Sequence, residues 1–259
     1  MRLDGAVALV TGASSGIGAA TAAALATAGA SLLLSGRDEA RLAGVAARTG
    51  GTALGGDLAV PGGAAALAQQ ALAAAPAAAR GGIDVLVNNA GLGWAGPTGE
   101  IPAAKVTELA TVNLAAPIEL TRLLVPGMAE RGRGGVAFVS SIAGVTGVRG
   151  EAVYAATKAG LAAFAESLAY EVRGRGVTVS VIVPGVIDTP FFSRRGTPYG
   201  RARPAPIPAG RVAAAIVSAL EHDRPVVYVP GWLRFPAWLH GMAPGAFRAL
   251  AARFGDPGY

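Results

Sequence analysis

Short apolar runs recur along the chain and take turns with longer stretches rich in alanine. The runs are Val7 to Val10, Ser31 to Ser35, Ala53 to Gly55, Val85 to Val87, Val136 to Ser140, Val177 to Val183 and Val226 to Val229. Between them, helices are predicted over Gly16 to Thr27, Asp38 to Arg48, Pro61 to Ala79, Pro102 to Glu130, Glu151 to Gly174 and Pro208 to Glu221. Pro61, Pro102 and Pro208 stand near helix starts, where a missing N–H does least harm. Alternation of this kind argues for βαβ units. The expected fold is α/β, a doubly wound parallel sheet of about seven strands with helices on both faces.

Two segments break the alternation. Residues 191–208 hold Arg194, Arg195, Arg201 and Arg203 among prolines and glycines and read as a mobile excursion. Residues 232–259 carry Trp232, Phe235, Trp238, Leu239, Phe247, Leu250 and Phe254, aromatic and aliphatic side chains that need a partner surface.

With 259 residues the chain fits one domain, residues 1–259. The hydrophobic share of 52% and mean hydropathy of +0.47 come largely from alanine spread along the helical stretches. No run of about 18 strongly apolar residues occurs, so no membrane span is expected. Met1 leads directly into an apolar strand, with neither a long apolar leader nor a small-residue cleavage site. The absence of cysteine excludes disulfides and thiolate chemistry and agrees with a cytoplasmic location. His222 and His240 lack ligand-spaced partners, so no metal is expected. The net charge of +6 comes without a basic run, which argues against nucleic acid and suits a polyanionic small ligand.

Thr11-Gly12-Ala13-Ser14-Ser15-Gly16-Ile17-Gly18 follows an apolar strand and opens a helix, the setting of a phosphate-binding turn. The spacing Gly-x3-Gly-x-Gly departs from the commonest dinucleotide fingerprint. The second strand ends at Ser35-Gly36-Arg37 without an acid at its tip. A carboxylate there would hold a ribose 2′-OH, whereas arginine pairs with a 2′-phosphate, so NADP(H) is favoured over NAD(H). Asp38 and Glu39 suit the first turn of the next helix. Farther on, Tyr154 and Lys158 stand four residues apart, about one helical turn, where the ammonium can favour the phenolate.

Thr11 to Gly18, Asn88-Asn89-Ala90-Gly91, Asn113, Ser141, Tyr154-x3-Lys158 and Pro184-Gly185 together resemble the short-chain dehydrogenase/reductase family, in its compact single-domain branch with a Rossmann-like fold. The resemblance covers roughly residues 3 to 230. It implies that Tyr154 is the general acid and base, with Lys158 lowering its pKa and bonding the nicotinamide ribose. It also implies that Ser141 steadies the substrate oxygen, while the neighbouring Ser140 points the other way. Asn113 would hold a water in a proton relay behind the lysine. Gly12, Ser14, Ser15 and Ile17 belong to the phosphate turn, and Arg37 to the 2′-phosphate. Asp57 and Leu58 would contact adenine, Asn89 and Ala90 would lie along the adenosine ribose, and Val186 and Thr189 would hold the carboxamide. Asn88 would brace the sheet.

The resulting expectation is an NADPH-dependent oxidoreductase that reduces the ketone or aldehyde carbonyl of a fairly apolar small molecule, reversibly. The alternatives are an NAD-preferring alcohol dehydrogenase and an NADP(H)-sensing protein without turnover. The second is set back by the presence of Asn113, Ser141, Tyr154 and Lys158 together. Residues 191–208 would form a substrate lid. Candidate pocket walls are Leu92 to Pro97, Val145 to Val148, Phe191, Phe192 and the tail. The resemblance further implies a homodimer or homotetramer paired through the helices at Pro102 to Glu130 and Glu151 to Gly174. For the tail, a pocket cover or subunit contact ranks ahead of peripheral membrane contact, because Pro236 and Pro244 interrupt any long helix.

Overall fold

The computed structural model describes residues 1–75, 82–197, 199–200 and 204–254. Its strands are β1 (Val7–Thr11), β2 (Ser31–Gly36), β3 (Thr52–Gly55), β4 (Val85–Asn88), β5 (Gly134–Val139), β6 (Val177–Pro184), β7 (Ile187–Asp188), β8 (Ile207–Pro208) and β9 (Val226–Val229). Seven of them form one parallel sheet in the order β3-β2-β1-β4-β5-β6-β9, and β7 pairs with β8 apart from it. The helices are α1 (Gly16–Thr27), α2 (Glu39–Thr49), α3 (Gly63–Ala74), α4 (Ala103–Ala110), α5 (Ala116–Glu130), α6 (Ala143–Thr146), α7 (Ala152–Glu171), α8 (Phe191–Arg194), α9 (Ala209–His222), α10 (Arg234–Met242) and α11 (Pro244–Phe254).

Successive strand residues feed opposite layers. Leu9, Leu33, Leu86 and Phe138 pack beneath α3, α5 and α7, against Leu67, Leu120, Leu124 and Leu161. Their neighbours Ala8, Val10, Leu32, Leu34 and Val85 pack beneath α1, α2 and α9, against Leu25, Leu42, Val212 and Ile216. Each large side chain buried this way contributes about 1.5–3 kcal/mol. The sheet runs outward from β1 through β2 to β3, then resumes on the other side of β1 with β4. That reversal opens a crevice beyond the carboxyl ends of β1 and β4, the place where such sheets bind ligands.

The single helix expected from Pro102 to Glu130 is three pieces. Between α4 and α5, residues Thr111–Ala115 form a π turn in which the Ala116 N–H donates to the Thr111 carbonyl. An apolar stripe does not register one extra residue per turn, so the sequence pattern passes straight through it. In the tail, Pro236 falls in the first turn of α10 and Pro244 opens α11, positions that tolerate a missing N–H. Two short helices therefore stand where no long one could. Residues 76–79 of the third expected helix, and Arg201 and Arg203 of the expected lid, lie outside the described residues.

Candidate active site

The end of β1 is tied to the end of β4 by one threonine. The Thr11 hydroxyl donates to the Val87 carbonyl at 3.2 Å and accepts the N–H groups of Asn89 and Ala90, each at 3.0 Å. The Asn89 amide returns to the Thr11 carbonyl at 2.9 Å and the Gly12 carbonyl at 3.3 Å. Gly12 takes φ +66°, and a Cβ on it would stand 2.8 Å from the Ala90 Cα. A Cβ on Gly18 would come within 2.2 Å of the Gly12 carbonyl oxygen. Gly18→Ala is therefore expected to lower stability by about 1–3 kcal/mol through forced displacement of the turn, measured as a urea midpoint.

The turn ends in an open helix terminus. Ser15 caps α1 without a side-chain bond to its N–H groups, and its hydroxyl instead accepts from Arg194 Nη1 at 3.0 Å. The first amides of α1, at the positive end of its dipole, are left to receive an anion. At the far end of the crevice Arg37 stands half exposed, 3.7 Å from Glu108 and 4.0 Å from Asp57. Glu108 also pairs with Lys105 at 2.8 Å. Asp38 is committed elsewhere: it caps α2 by accepting the Arg41 N–H at 3.0 Å.

Helix α7 presents Tyr154 and Lys158, both buried, to the same crevice. Lys158 Nζ donates to the Val139 carbonyl at 2.8 Å and stands 5.9 Å from the centre of the Tyr154 ring. The Ser141 hydroxyl accepts the Ala143 N–H at 3.2 Å and is hydrogen-bonded to the Tyr154 phenol. Ser140 does point away, donating to the Lys158 carbonyl at 2.9 Å. Burial pushes the Tyr154 phenol up and Glu151 adds to the rise, while the Ser141 bond and the Arg195 charge pull it back. Burial also pushes the Lys158 ammonium down to about 8. The expected lowering of the phenol pKa by the lysine does not show in the chain by itself, where desolvation dominates and the charges acting on the phenol are those of Glu151 and Arg195.

Asn113 sits in the π turn, fully buried. Its amide donates to the Leu92 carbonyl at 2.9 Å and to Thr157 Oγ1 at 3.2 Å, and its oxygen accepts the Leu92 N–H at 2.8 Å. Thr157 in turn donates to the Tyr154 carbonyl at 2.7 Å. The side chain thus joins the β4 loop to the helix bearing Tyr154. Asn88 donates to Thr121 Oγ1 at 3.3 Å and braces the sheet to α5.

A cavity of about 940 Å³ joins these parts. Gly12, Ser14, Ser15, Ile17, Arg37, Asp57, Leu58, Asn89, Ala90, Ser141, Tyr154, Lys158, Val186 and Thr189 all line it, and Asn113 stands behind its wall. Of the expected pocket walls, Leu92, Gly93, Ala95, Val148, Phe191 and Phe192 face the cavity. Val145 instead packs into the core, and no described residue of the tail reaches the cavity. The described part of the tail is therefore not the cover that the sequence suggested.

Over the substrate end, the excursion begins with α8 and is pinned where β7 meets β8, with the Ile207 N–H donating to the Val186 carbonyl at 3.0 Å. Aromatic rings step away from Tyr154 to Phe191 at 5.5 Å, Phe192 at 5.5 Å and Tyr199 at 5.2 Å between centroids. Arg195 lies over the Phe192 ring at 4.8 Å and pairs with Glu151, the N-cap residue just before α7. Sequence reasoning missed the Glu151–Arg195 pair, along with Glu108 and Thr157. Glu151 lies one helical turn before Tyr154, which was its available signal.

A sequence profile described as short chain dehydrogenase matches residues 6–199. A ketoacyl reductase, HetN, from Nostoc sp. is 36% identical over 237 residues, covering 88% of this chain and 79% of its own. The 3-oxoacyl-(acyl-carrier-protein) reductase FabG of Vibrio cholerae is 35% identical over 212 residues, covering 82% of this chain and 86% of its own. Among solved structures, a short-chain dehydrogenase from Sphingobium yanoikuyae in complex with NADPH superposes with a TM-score of 0.81 at 27% identity, covering 98% of each chain.

Proposed function

The chain belongs to the short-chain dehydrogenase family, an oxidoreductase acting between CH–OH and C=O with a nicotinamide cofactor, and from that premise we propose an NADPH-dependent reductase of apolar ketones or aldehydes. The observation that carries the reading is the buried Tyr154 phenol, hydrogen-bonded by Ser141 on the cavity wall, with Lys158 one turn farther along the same helix.

The residues fit the cofactor. Gly12 and Gly18 leave no room for a Cβ, and the uncapped start of α1 offers amides to a pyrophosphate. Arg37 stands where the second strand ends, with Asp38 withdrawn into its capping bond. When bound, the nicotinamide supplies or accepts the hydride. Ser141 holds the substrate oxygen beside the phenol, and Tyr154 Oη gives its proton to that oxygen as negative charge develops there. The high phenol pKa keeps the proton in place at neutral pH, ready for delivery. Lys158, on the same face, supplies positive charge next to the phenolate left behind. Phe191, Phe192 and Tyr199 give the substrate an aromatic wall and exclude water from the transfer.

The test is the initial rate of NADPH and NADH oxidation over a panel of ketones, aldehydes and quinones, with Arg37→Ala in parallel. NADPH is expected to be preferred in kcat/KM. Arg37→Ala should lower that parameter for NADPH by about 10–100-fold, the worth of a lost charge-assisted bond to phosphate, and leave NADH nearly unchanged. Equal loss with both cofactors would remove Arg37 from the phosphate site.

A further inference from the structure

We propose that the α10–α11 hairpin is a docking face for an anionic lipid surface. Helix α10 has two apolar sides. Leu233, just before it, and Ala237 turn inward and are buried, with Leu233 set against Gly185 and the helix resting on α6. Phe235, Trp238 and Met242, spaced i, i+3 and i+7, turn outward and are 65%, 60% and 70% exposed, joined by Trp232 at 55%. Helix α11 packs against α10 and carries an exposed Leu250 of its own. An outward apolar stripe of this size on a small hairpin marks an interaction surface.

Charge selects the occupant. From Arg224 to Gly255 the chain contains four arginines and no acidic residue. Arg234, adjoining Phe235 at the start of α10, and Arg248 on α11 are both exposed, so large apolar rings and cations share one hairpin. A second copy of the hairpin brought against the first would set arginine against arginine with no carboxylate to pair them. The cavity is not the occupant either, since no described tail residue lines it. Tryptophan and phenylalanine flanked by arginine match the boundary between headgroups and acyl chains of an anionic bilayer, where each arginine adds electrostatic attraction. Among the described residues no helix is long and apolar enough to cross a membrane, so the contact is peripheral. Because α6 follows Ser141 directly, the docked face would lie beside the substrate end of the crevice.

The experiment is cosedimentation of the full chain with vesicles of phosphatidylglycerol and phosphatidylcholine, and with phosphatidylcholine alone, at low and high salt. It requires no turnover and is independent of the proposed reaction. Wild type is expected to bind the anionic vesicles, with tryptophan emission quenched by brominated lipid, and to lose most of that binding at high salt. The combined variant Trp232→Ser, Phe235→Ser and Trp238→Ser, and separately Arg234→Gln with Arg248→Gln, should each weaken binding at least about tenfold. Unchanged NADPH affinity and thermal midpoint would show that both variants fold. Failure of wild type to bind anionic vesicles, equal binding to neutral ones, or full binding by the triple variant would overturn the proposal. So would a triple variant that falls to a smaller oligomer in analytical ultracentrifugation while wild type ignores vesicles, which would make the face a subunit contact.

Discussion

Tyr154→Phe is expected to lower kcat about 10³-fold while leaving the KM for NADPH within a few-fold of wild type. The substitution deletes the only atom with which residue 154 can give or take a proton, and general acid–base groups typically account for about 10²–10⁴ in rate. It retains the ring that meets Phe191 at 5.5 Å, so the wall over the substrate is preserved. Folding should barely change: the lost hydroxyl is buried, but its partner Ser141 keeps its bond from the Ala143 N–H, which limits the cost to about 1 kcal/mol. Steady-state kinetics with a thermal melt on the same sample check both halves. A variant within tenfold of wild-type kcat would mean that another group moves the proton, and the mechanism built on Tyr154 would fall.

The sheet was legible because its signal is simple: apolar runs between helical stretches reproduce all seven strands of the main sheet, with Val226–Val229 recovered to the residue. Helix α1 was equally plain from Gly16 to Thr27. The glycine turn after β1 was legible for a related reason, since glycines at fixed offsets report directly on close backbone approaches. What escaped was created by tertiary contact. The π turn changes helical registry without changing residue type, yet it accompanies an Asn113 amide wholly occupied by Leu92 and Thr157. The Glu151–Arg195 pair joins residues 44 positions apart, and nothing local in either marks the other. The tail aromatics were visible as a composition, but only the fold shows that Trp232, Phe235 and Trp238 face outward instead of into the cavity.

At Lys158 the requirements of folding and of chemistry oppose each other, and Lys158→Met is expected to separate them. Burial lowers this lysine from 10.5 to about 8, so between those values the folded chain holds its proton less readily than the unfolded chain. Stability then rises with pH across the window, and at pH 7, where both states are protonated, the buried charge costs about 3 kcal/mol. Methionine has similar length and nothing to titrate, so the variant should lose that rise. Part of its gain at neutral pH is offset by the Val139 carbonyl, which loses its 2.8 Å donor, worth about 1–3 kcal/mol. The pH slope is therefore the cleaner readout than the midpoint itself. It is best taken from pH 8 to below pH 10, because Tyr154, raised from its ordinary 10, pulls stability the other way only above that value. Turnover should move oppositely, falling about 10²–10³-fold as the positive charge beside the phenolate disappears. Urea titrations of both proteins at several pH values, paired with kcat, decide the matter. A variant that keeps the wild-type slope would place the titration elsewhere, whereas one that loses slope and turnover together identifies a buried cation retained for its chemistry at the expense of stability.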